Sequence, residues 1–353
     1  MKTVDVIIPT YRPDKRFLEL INRLDRQSYK VQRIIIVNTE EKYYNQLIYG
    51  TNFTEKHQNV SVYHVSKKEF DHGKSRNRGV RHSHGDYFIC MTQDALPANE
   101  KLVEELVHAL EQPRVAVAYG RQLPEKDCDM AEAYARGFNY PGNSTTKGQE
   151  DLPKLGIKTY FCSNVCAIYK RDIFDSLGGF INHTIFNEDM IYAAKAVKAG
   201  YLIAYAASAQ VYHSHNYGCM EQFRRNFDLG VSQADHPEVF AELPSESEGI
   251  RMVKSTIQYL KEQKQSSGIP KVIVKSGFKY MGYRMGKSYQ KLPHGLIDKC
   301  TMNPEYWKQH GLKKAATVID ATKGYGRSEA ELAESSKRME TKESVSIKGK
   351  NTF

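Results

Sequence analysis

The sequence has no apolar run long enough to cross a bilayer. Its longest, such as Ile34 to Val37 and Tyr201 to Ala207, fall far short of the roughly 20 residues a membrane helix needs. No apolar stretch of the secretory kind sits behind the opening Met-Lys-Thr-Val-Asp. The expected location is therefore the cytoplasm. Cysteine is sparse and unpatterned: Cys90, Cys128, Cys162, Cys166, Cys219 and Cys300 contain no CxxC pair. This argues against both a disulfide framework and a zinc site. No GxGxxG follows the first apolar run, and no GxxxxGK followed by Ser or Thr occurs anywhere. Their absence argues against a dinucleotide dehydrogenase and a P-loop nucleotidase. RNP, KH, helix-turn-helix and zinc-finger signatures are missing too, so no nucleic-acid partner is expected.

Positive charge is abundant and unevenly placed. The 353 residues carry a formal charge of +10, and 251–300 hold eleven Lys/Arg against Glu262 and Asp298. Nearly all the excess lies in that segment, which calls for an anionic partner. There Val272 to Val274, Phe278, Tyr280, Met281 and Tyr283 interleave with Lys271, Lys275, Lys279 and Arg284. Two readings fit this mixture. It suits an amphipathic surface on an anionic membrane leaflet, and it equally suits a helical cap packing its aromatics inward.

Elsewhere the pattern alternates between periods of 2 and 3.6. Strands are expected at Val4 to Pro9, Val31 to Val37, Asn59 to Val65, Tyr87 to Met91 and Val115 to Tyr119. Helices are expected between them, with Phe17, Leu18, Ile21 and Leu24 on one face and Leu102, Val103, Leu106, Val107 and Leu110 on another. Such alternation builds βαβ units and a largely parallel sheet. Asn139 to Lys154, rich in Gly, Pro, Asn, Ser and Thr, reads as a mobile loop. Further strands are expected at Phe161 to Tyr169, Tyr201 to Tyr205 and Val211 to Tyr217. The layout is a domain over 1–240, a helical basic region over 241–323 and a disordered tail over 324–353.

Polar clusters stand at the ends of these strands and the starts of helices: Thr10-Tyr11-Arg12, Asn38-Thr39-Glu40, Thr92-Gln93-Asp94, Asn187-Glu188-Asp189 and His213-Ser214-His215. Carboxyl ends of strands are where open α/β sheets bind ligands. Each cluster alone has an ordinary explanation. Asp94 fits a cap for a helix beginning near Asn99, and Glu188 and Asp189 fit the positive end of a helix dipole.

Their order carries more. Val6-Ile-Ile-Pro-Thr-Tyr11, Gly73-Lys-Ser-Arg-Asn-Arg-Gly79, Gly85-Asp-Tyr-Phe88 running to Asp94, Leu177-Gly-Gly-Phe180, Asn187-Glu-Asp189 and His213 together resemble family 2 glycosyltransferases of the GT-A fold. Tyr119-Gly-Arg-Gln-Leu-Pro124, Phe138-Asn-Tyr-Pro141 and His213-Ser-His-Asn-Tyr217 look like bacterial rhamnosyltransferases of surface-polysaccharide assembly. The resemblance spans roughly residues 3–235. It implies a Rossmann-like, mixed and mostly parallel sheet flanked by helices, with a basic helical appendage. It also implies transfer of a sugar from a nucleotide sugar, dTDP-β-L-rhamnose above all, to a glycan or lipid-linked glycan, with inversion. A UDP-hexose or UDP-N-acetylhexosamine donor is the alternative on the same scaffold, and a non-catalytic scaffold or a nucleic-acid-binding protein using the basic segment is the alternative of another class.

Site roles follow from the same resemblance. Asp189 matches the catalytic base, with Glu188 next to it. Asp94 matches the last acid of a DXD-type motif, and Thr92 stands where the first acid usually is. His213 matches the later metal ligand, with His215 as its substitute, for Mn²⁺ or Mg²⁺. Pro9, Thr10, Tyr11, Arg12, Asn38, Glu40, Lys74, Arg76, Asn77, Thr92, Gln93 and Asp94 would hold the nucleotide sugar. Asn187, Asn216 and Tyr217 would face the acceptor, along with the Asn139 to Lys154 loop.

Overall fold

β-branched runs build the centre of the sheet. The computed structural model describes residues 1–308, apart from 242, 244 and 245. Its first half runs β1 (Val4–Tyr11), α1 (Lys15–Asp25), β2 (Val31–Thr39), α2 (Glu41–Ile48), α3 (Phe53–Lys56), β3 (Val60–Val65), α4 (His72–His82) and β4 (Tyr87–Met91). These four strands pair in parallel, in the order β3-β2-β1-β4. Being covered on both faces, β1 alternates its side chains between two cores. Val4, Val6 and Ile8 join Phe17, Leu20, Ile21 and Leu24 of α1 on one side. Ile7 joins Ile35, Val80 and Phe88 on the other. The approach of α4 is close: a Cβ at Gly79 would stand 2.4 Å from Ile7 Cγ2.

The second half continues with β5 (Leu96–Pro97), α5 (Leu102–Leu110), β6 (Val115–Leu123), α6 (Met130–Asn139), β7 (Thr145–Lys147), α7 (Leu152–Leu155), β8 (Cys166–Lys170), α8 (Arg171–Ser176), α9 (Glu188–Lys198) and β9 (Leu202–Tyr212). The sheet extends as β4-β8-β6-β9-β5, with β7 also on β9. Six strands share one direction, while β5, β7 and β8 run against it. The result is a mixed, mostly parallel sheet between helices.

Three expectations change. The strand expected from Phe161 begins only at Cys166, because Cys166 N–H bonds back to Ser163 C=O and turns the chain. That turn presents Ser163 and Asn164 at the strand end. The strands expected at Tyr201 and Val211 are one strand, β9, whose register on β6 shifts between Gly120 and Arg121. The loop expected over Asn139 to Lys154 holds β7, a 3-10 turn and α7 instead. Its anchor is Lys147, buried with its ammonium donating to Lys158 C=O, Phe161 C=O and Tyr119 Oη. Burial pulls that lysine down to about 7.

The basic region is helical, as expected: α10 (Cys219–Asp235) and α11 (Pro237–Phe240) lead into α12 (Glu246–Glu262), α13 (Ile269–Lys287) and α14 (His294–Cys300). α13 lies directly on α10 through glycines. A Cβ at Gly282 would stand 2.1 Å from Phe223 C=O, and one at Gly286 2.1 Å from Phe227 C=O. Tyr283 Oη donates to Gln233 at 2.8 Å across the contact. Residues Met1–Pro304 thus form one compact unit. The tail expected over 324–353 lies outside the described residues. No helix among the described residues is long and apolar enough to cross a membrane.

Candidate active site

The carboxyl ends of β1, β2 and β3 are tied by a polar ladder set by strand register. Thr10 Oγ1 donates to Asn38 Oδ1 at 2.9 Å, and Asn38 Nδ2 meets His64 Nδ1 at 3.0 Å. Thr10 and Asn38 are buried, so they brace the strand ends. Gln93 uses both ends of its amide on the Tyr11 backbone, at 2.9 and 3.1 Å, and locks β1 to the turn after β4. Beside this ladder lies a pocket of about 330 Å³, lined by Tyr11, Thr39, Lys67, Phe70 and Met302 to Pro304 among others. Thr39 Oγ1 is buried there with no hydrogen-bond partner among the described residues, a polar atom that a bound ligand would satisfy.

The pocket shares His72, Phe186 and Arg225 with a larger cleft of about 400 Å³. On one wall of that cleft, Asp94 meets the histidines at the end of β9. His215 Nε2 lies 3.3 Å and His213 Nε2 3.7 Å from Asp94 Oδ2, and the two Nε2 atoms are 3.1 Å apart. Gln122 sets the tautomer. Its Oε1 accepts from Arg136 Nη1 at 2.5 Å, which fixes that atom as oxygen, and it faces His213 Nδ1 at 3.0 Å. Nδ1 must therefore carry the proton, and Nε2 presents a bare lone pair. Burial depresses His213 to about 3 and lowers His215 as well. Two neutral imidazoles and a carboxylate, with ligand atoms all within 4.8 Å of one another, form a donor set that suits a divalent cation. The Gln122 bond supplies the outer support such ligands use. Asp94 caps no helix, since α5 begins at Leu102 after Lys101.

The opposite wall is the start of α9. Asn187 takes φ 65°, the left-handed region, and turns the chain into the helix. It lines the cleft, and its side chain donates to Ser232 Oγ on α10 at 3.1 Å. Glu188 Oε1 lies 3.1 Å from Arg76 Nη1 and accepts from Asn164 Nδ2 at 3.0 Å, with both charged groups buried. Burial alone would raise the Glu188 carboxyl; the Arg76 guanidinium, His72 and the Asn164 hydrogen bond together outweigh it and hold the group below its ordinary value. Asp189 forms no ion pair among the described residues. It accepts from the backbone N–H of Asn164 and Met190, at 2.9 and 2.8 Å. Burial, then the Glu188 charge, push it up to about 7. Two adjacent carboxyls with values driven apart are the arrangement from which acid–base roles arise.

Other expected residues stand elsewhere. Asn77 spends its amide on the Phe180 backbone and Asn182, which holds the Gly178 to Asn182 turn against α4. Lys74 is exposed, and its contribution is a backbone N–H capped by Asp71. Arg12 is exposed and bonds Tyr43 Oη at 3.0 Å. The Glu40 carboxylate accepts from Lys67 N–H. Pro9 sits within β1, opposite Val37 of β2. Asn216 bonds Asp127 C=O outside the cleft, whereas Tyr217 stacks on His215 with centroids 4.8 Å apart. Of Asn139 to Lys154, Tyr140 lines the cleft. Gln122, Arg136, Asn164, Arg225 and Lys279 also line it; none of them was expected in the site, although Gln122 lies in the Tyr119 to Pro124 motif and Lys279 in the basic segment. For Arg136 a signal existed: Asp129 followed three residues on by Glu132 is a helix-start pattern, and α6 begins there with Asp129 as its cap.

Residues 5–178 match the family model described as glycosyl transferase family 2. The O-antigen chain rhamnosyltransferase RfbN of Salmonella typhimurium is 37% identical over 306 residues, covering 86% of this chain and 96% of that protein. The chain belongs to glycosyltransferase family 2. The O-antigen chain rhamnosyltransferase WbaN of Salmonella anatum is 36% identical over 310 residues, 87% of this chain and 96% of its own. Among solved structures, the mannosyltransferase PcManGT of Pyrobaculum calidifontis, in complex with GDP-Man and Mn²⁺, superposes with a TM-score of 0.51 at 14% identity, over 90% of this chain and 80% of that one. At that identity the likeness speaks for the GT-A fold. This family 2 enzyme therefore carries a glycosyltransferase scaffold whose cleft brings Asp94, His213 and His215 together with Glu188 and Asp189.

Proposed function

We propose that the cleft moves L-rhamnose from dTDP-β-L-rhamnose to a hydroxyl of a lipid-linked glycan in the assembly of bacterial surface polysaccharide. The observation that carries the donor is the 37% identity to RfbN, sustained over 96% of that protein.

Asp189 acts as the general base. The two backbone N–H groups on its carboxylate fix its orientation, and a value near 7 suits proton transfer at neutral pH. It takes the proton of the acceptor hydroxyl. The oxygen then forms a bond to the anomeric carbon while the bond from that carbon to the diphosphate breaks on the opposite face. The electron pair leaves with the nucleoside diphosphate, and the product is an α-rhamnoside. Glu188 stays paired with Arg76 as a fixed anion whose charge keeps Asp189 basic. The nucleoside occupies the pocket of Tyr11 and Thr39, and Arg136 and Arg225 line the cleft beyond it. Asp94, His213 and His215 would hold Mn²⁺ or Mg²⁺, which when bound supplies Lewis-acid neutralisation of the leaving diphosphate. The two histidines on Asp94 make up for the neutral Thr92.

The enzyme works at the cytoplasmic face of a membrane. Support comes from α13, which exposes Ile273, Val274, Tyr280 and Met281 among its lysines, a mixture suited to an anionic leaflet. The test of donor choice is a binding and hydrolysis panel of dTDP-rhamnose, UDP-glucose, UDP-galactose and UDP-N-acetylglucosamine, with and without Mn²⁺. Metal-dependent binding of dTDP-rhamnose alone is expected. Preference for a UDP-sugar would overturn the rhamnosyl assignment.

A further inference from the structure

A second cavity of about 250 Å³ opens between α6, α12 and α13, and the function above does not use it. Its apolar lining is Ala135, Met252, Val253, Leu260 and Val272, with the exposed Met130 at its edge. Its rim is basic. Lys271 and Lys275 converge on Asp129 at 3.2 and 3.5 Å, two ammonium groups against one carboxylate. The groove is continuous with the catalytic cleft, because Glu132 and Lys279 line both. At that junction Lys279 makes no hydrogen bond or ion pair among the described residues. Glu132 faces it but is already paired with Arg136 at 3.2 Å. A half-buried cation without a bonded partner calls for an anion.

We infer that this groove binds the diphosphate and the first part of the apolar chain of a lipid-linked acceptor, with Lys279 on the phosphate. This rests on the reading of the cleft as a glycosyl-transfer site. The nucleoside pocket lies toward β1 and β2, and the groove opens from the cleft toward α6 and α13. A donor and an acceptor entering from these two openings would meet between Asp94 and Asp189. An apolar floor under a cationic rim matches an amphiphile with an anionic head. The apolar residues exposed on α13 give its tail a route to a membrane.

The probe is dodecyl phosphate, titrated calorimetrically into the full chain below its micelle-forming concentration, without nucleotide. Inorganic diphosphate and dodecyl maltoside are the controls, and dTDP binding is measured in parallel. The wild type should bind dodecyl phosphate about tenfold or more tightly than either control. Lys279→Ala should weaken it by about tenfold or more, the size of a hydrogen bond to a charged group. Ala135→Trp should weaken it by filling the groove, with dTDP affinity kept. Equal binding of inorganic diphosphate, or unchanged binding by Lys279→Ala, would overturn the inference. So would parallel loss of dTDP and dodecyl phosphate binding, which would put Lys279 on the donor side. If dodecyl phosphate binds as expected but no nucleotide sugar does, the donor reading fails instead.

Discussion

Replacing Asp189 with Asn separates its chemistry from its part in stability. The carboxylate accepts one backbone N–H on each oxygen. In Asp189→Asn one of them must face an NH₂ group, a loss of about 1–3 kcal/mol for an unsatisfied buried donor. Charge works the other way. The folded chain keeps a proton on Asp189 up to about 7, against 3.8 for the ordinary group. The unfolded chain has released that proton by then. Stability from this group is therefore present at low pH and lost as pH rises toward 7. The loss is on the order of 3 kcal/mol, discounted for the part of the carboxylate that faces the open cleft. At pH ~8 the two effects nearly cancel, so Asp189→Asn should unfold in urea within about 1–2 kcal/mol of the wild type. Turnover should fall by about 10²–10⁴, the usual worth of a positioned base. In the wild type, kcat/KM should rise about tenfold per pH unit below ~7 and level off above it, as the free enzyme's base loses its proton. A folded Asp189→Asn enzyme keeping more than about a tenth of the activity, or a wild-type profile flat between pH ~6 and ~8, would refute the assignment.

Glu188→Gln should behave differently, because it leaves the Arg76 guanidinium buried without its counter-ion; a stability loss of about 3–5 kcal/mol is expected in urea. Gln122→Ala frees His213 to take the other tautomer and should weaken Mn²⁺ binding by about 10–100-fold in a direct titration while the fold persists. Gly282→Ala drives a Cβ into the Phe223 carbonyl, so thermal unfolding should show about 1–3 kcal/mol lost at the contact between α10 and α13. Gln93→Ala should lower Tm through its two bonds to Tyr11, each about 1 kcal/mol.

The sheet was legible where one signal dominated. Tyr87 to Met91 is apolar, short and bounded by polar turns, and β4 has those bounds. Gly200 follows α9 at φ 85°, and a glycine just past a helix is a stop signal that a sequence displays. Direction was harder. β8 runs antiparallel between β4 and β6, and nothing in an apolar run states which way it will lie. α6 has Met130, Tyr134 and Phe138 at helical spacing, yet buries no residue of its own, so its apolar face does not join the core. The loop over Asn139 to Lys154 misled for a different reason. Its Gly, Pro and Asn do signal turns, but one buried lysine within it, Lys147, fixes those turns by donating to carbonyls outside the segment, those of Lys158 and Phe161.

The candidate site was legible as residue types and less so as partners. Asp94, His213, His215, Glu188 and Asp189 meet in one cleft as their motifs implied. Thr10, Asn38, Gln93 and Asn77 look the same in sequence as ligand-binding polar groups, yet their bonds go to neighbouring strands and turns. Only tertiary contacts tell a brace from a contact. Which of two adjacent acids remains basic is likewise decided by Arg76, 112 positions away from Glu188 in sequence.

The anomeric configuration of the product tests single displacement by Asp189 most directly. Wild-type enzyme supplied with dTDP-β-L-rhamnose and a glycan acceptor should give an α-rhamnoside, read from the one-bond carbon–hydrogen coupling at the new anomeric centre by NMR. A β-rhamnoside would show retention and require a covalent or front-face route, contradicting Asp189 as a base acting on the acceptor hydroxyl.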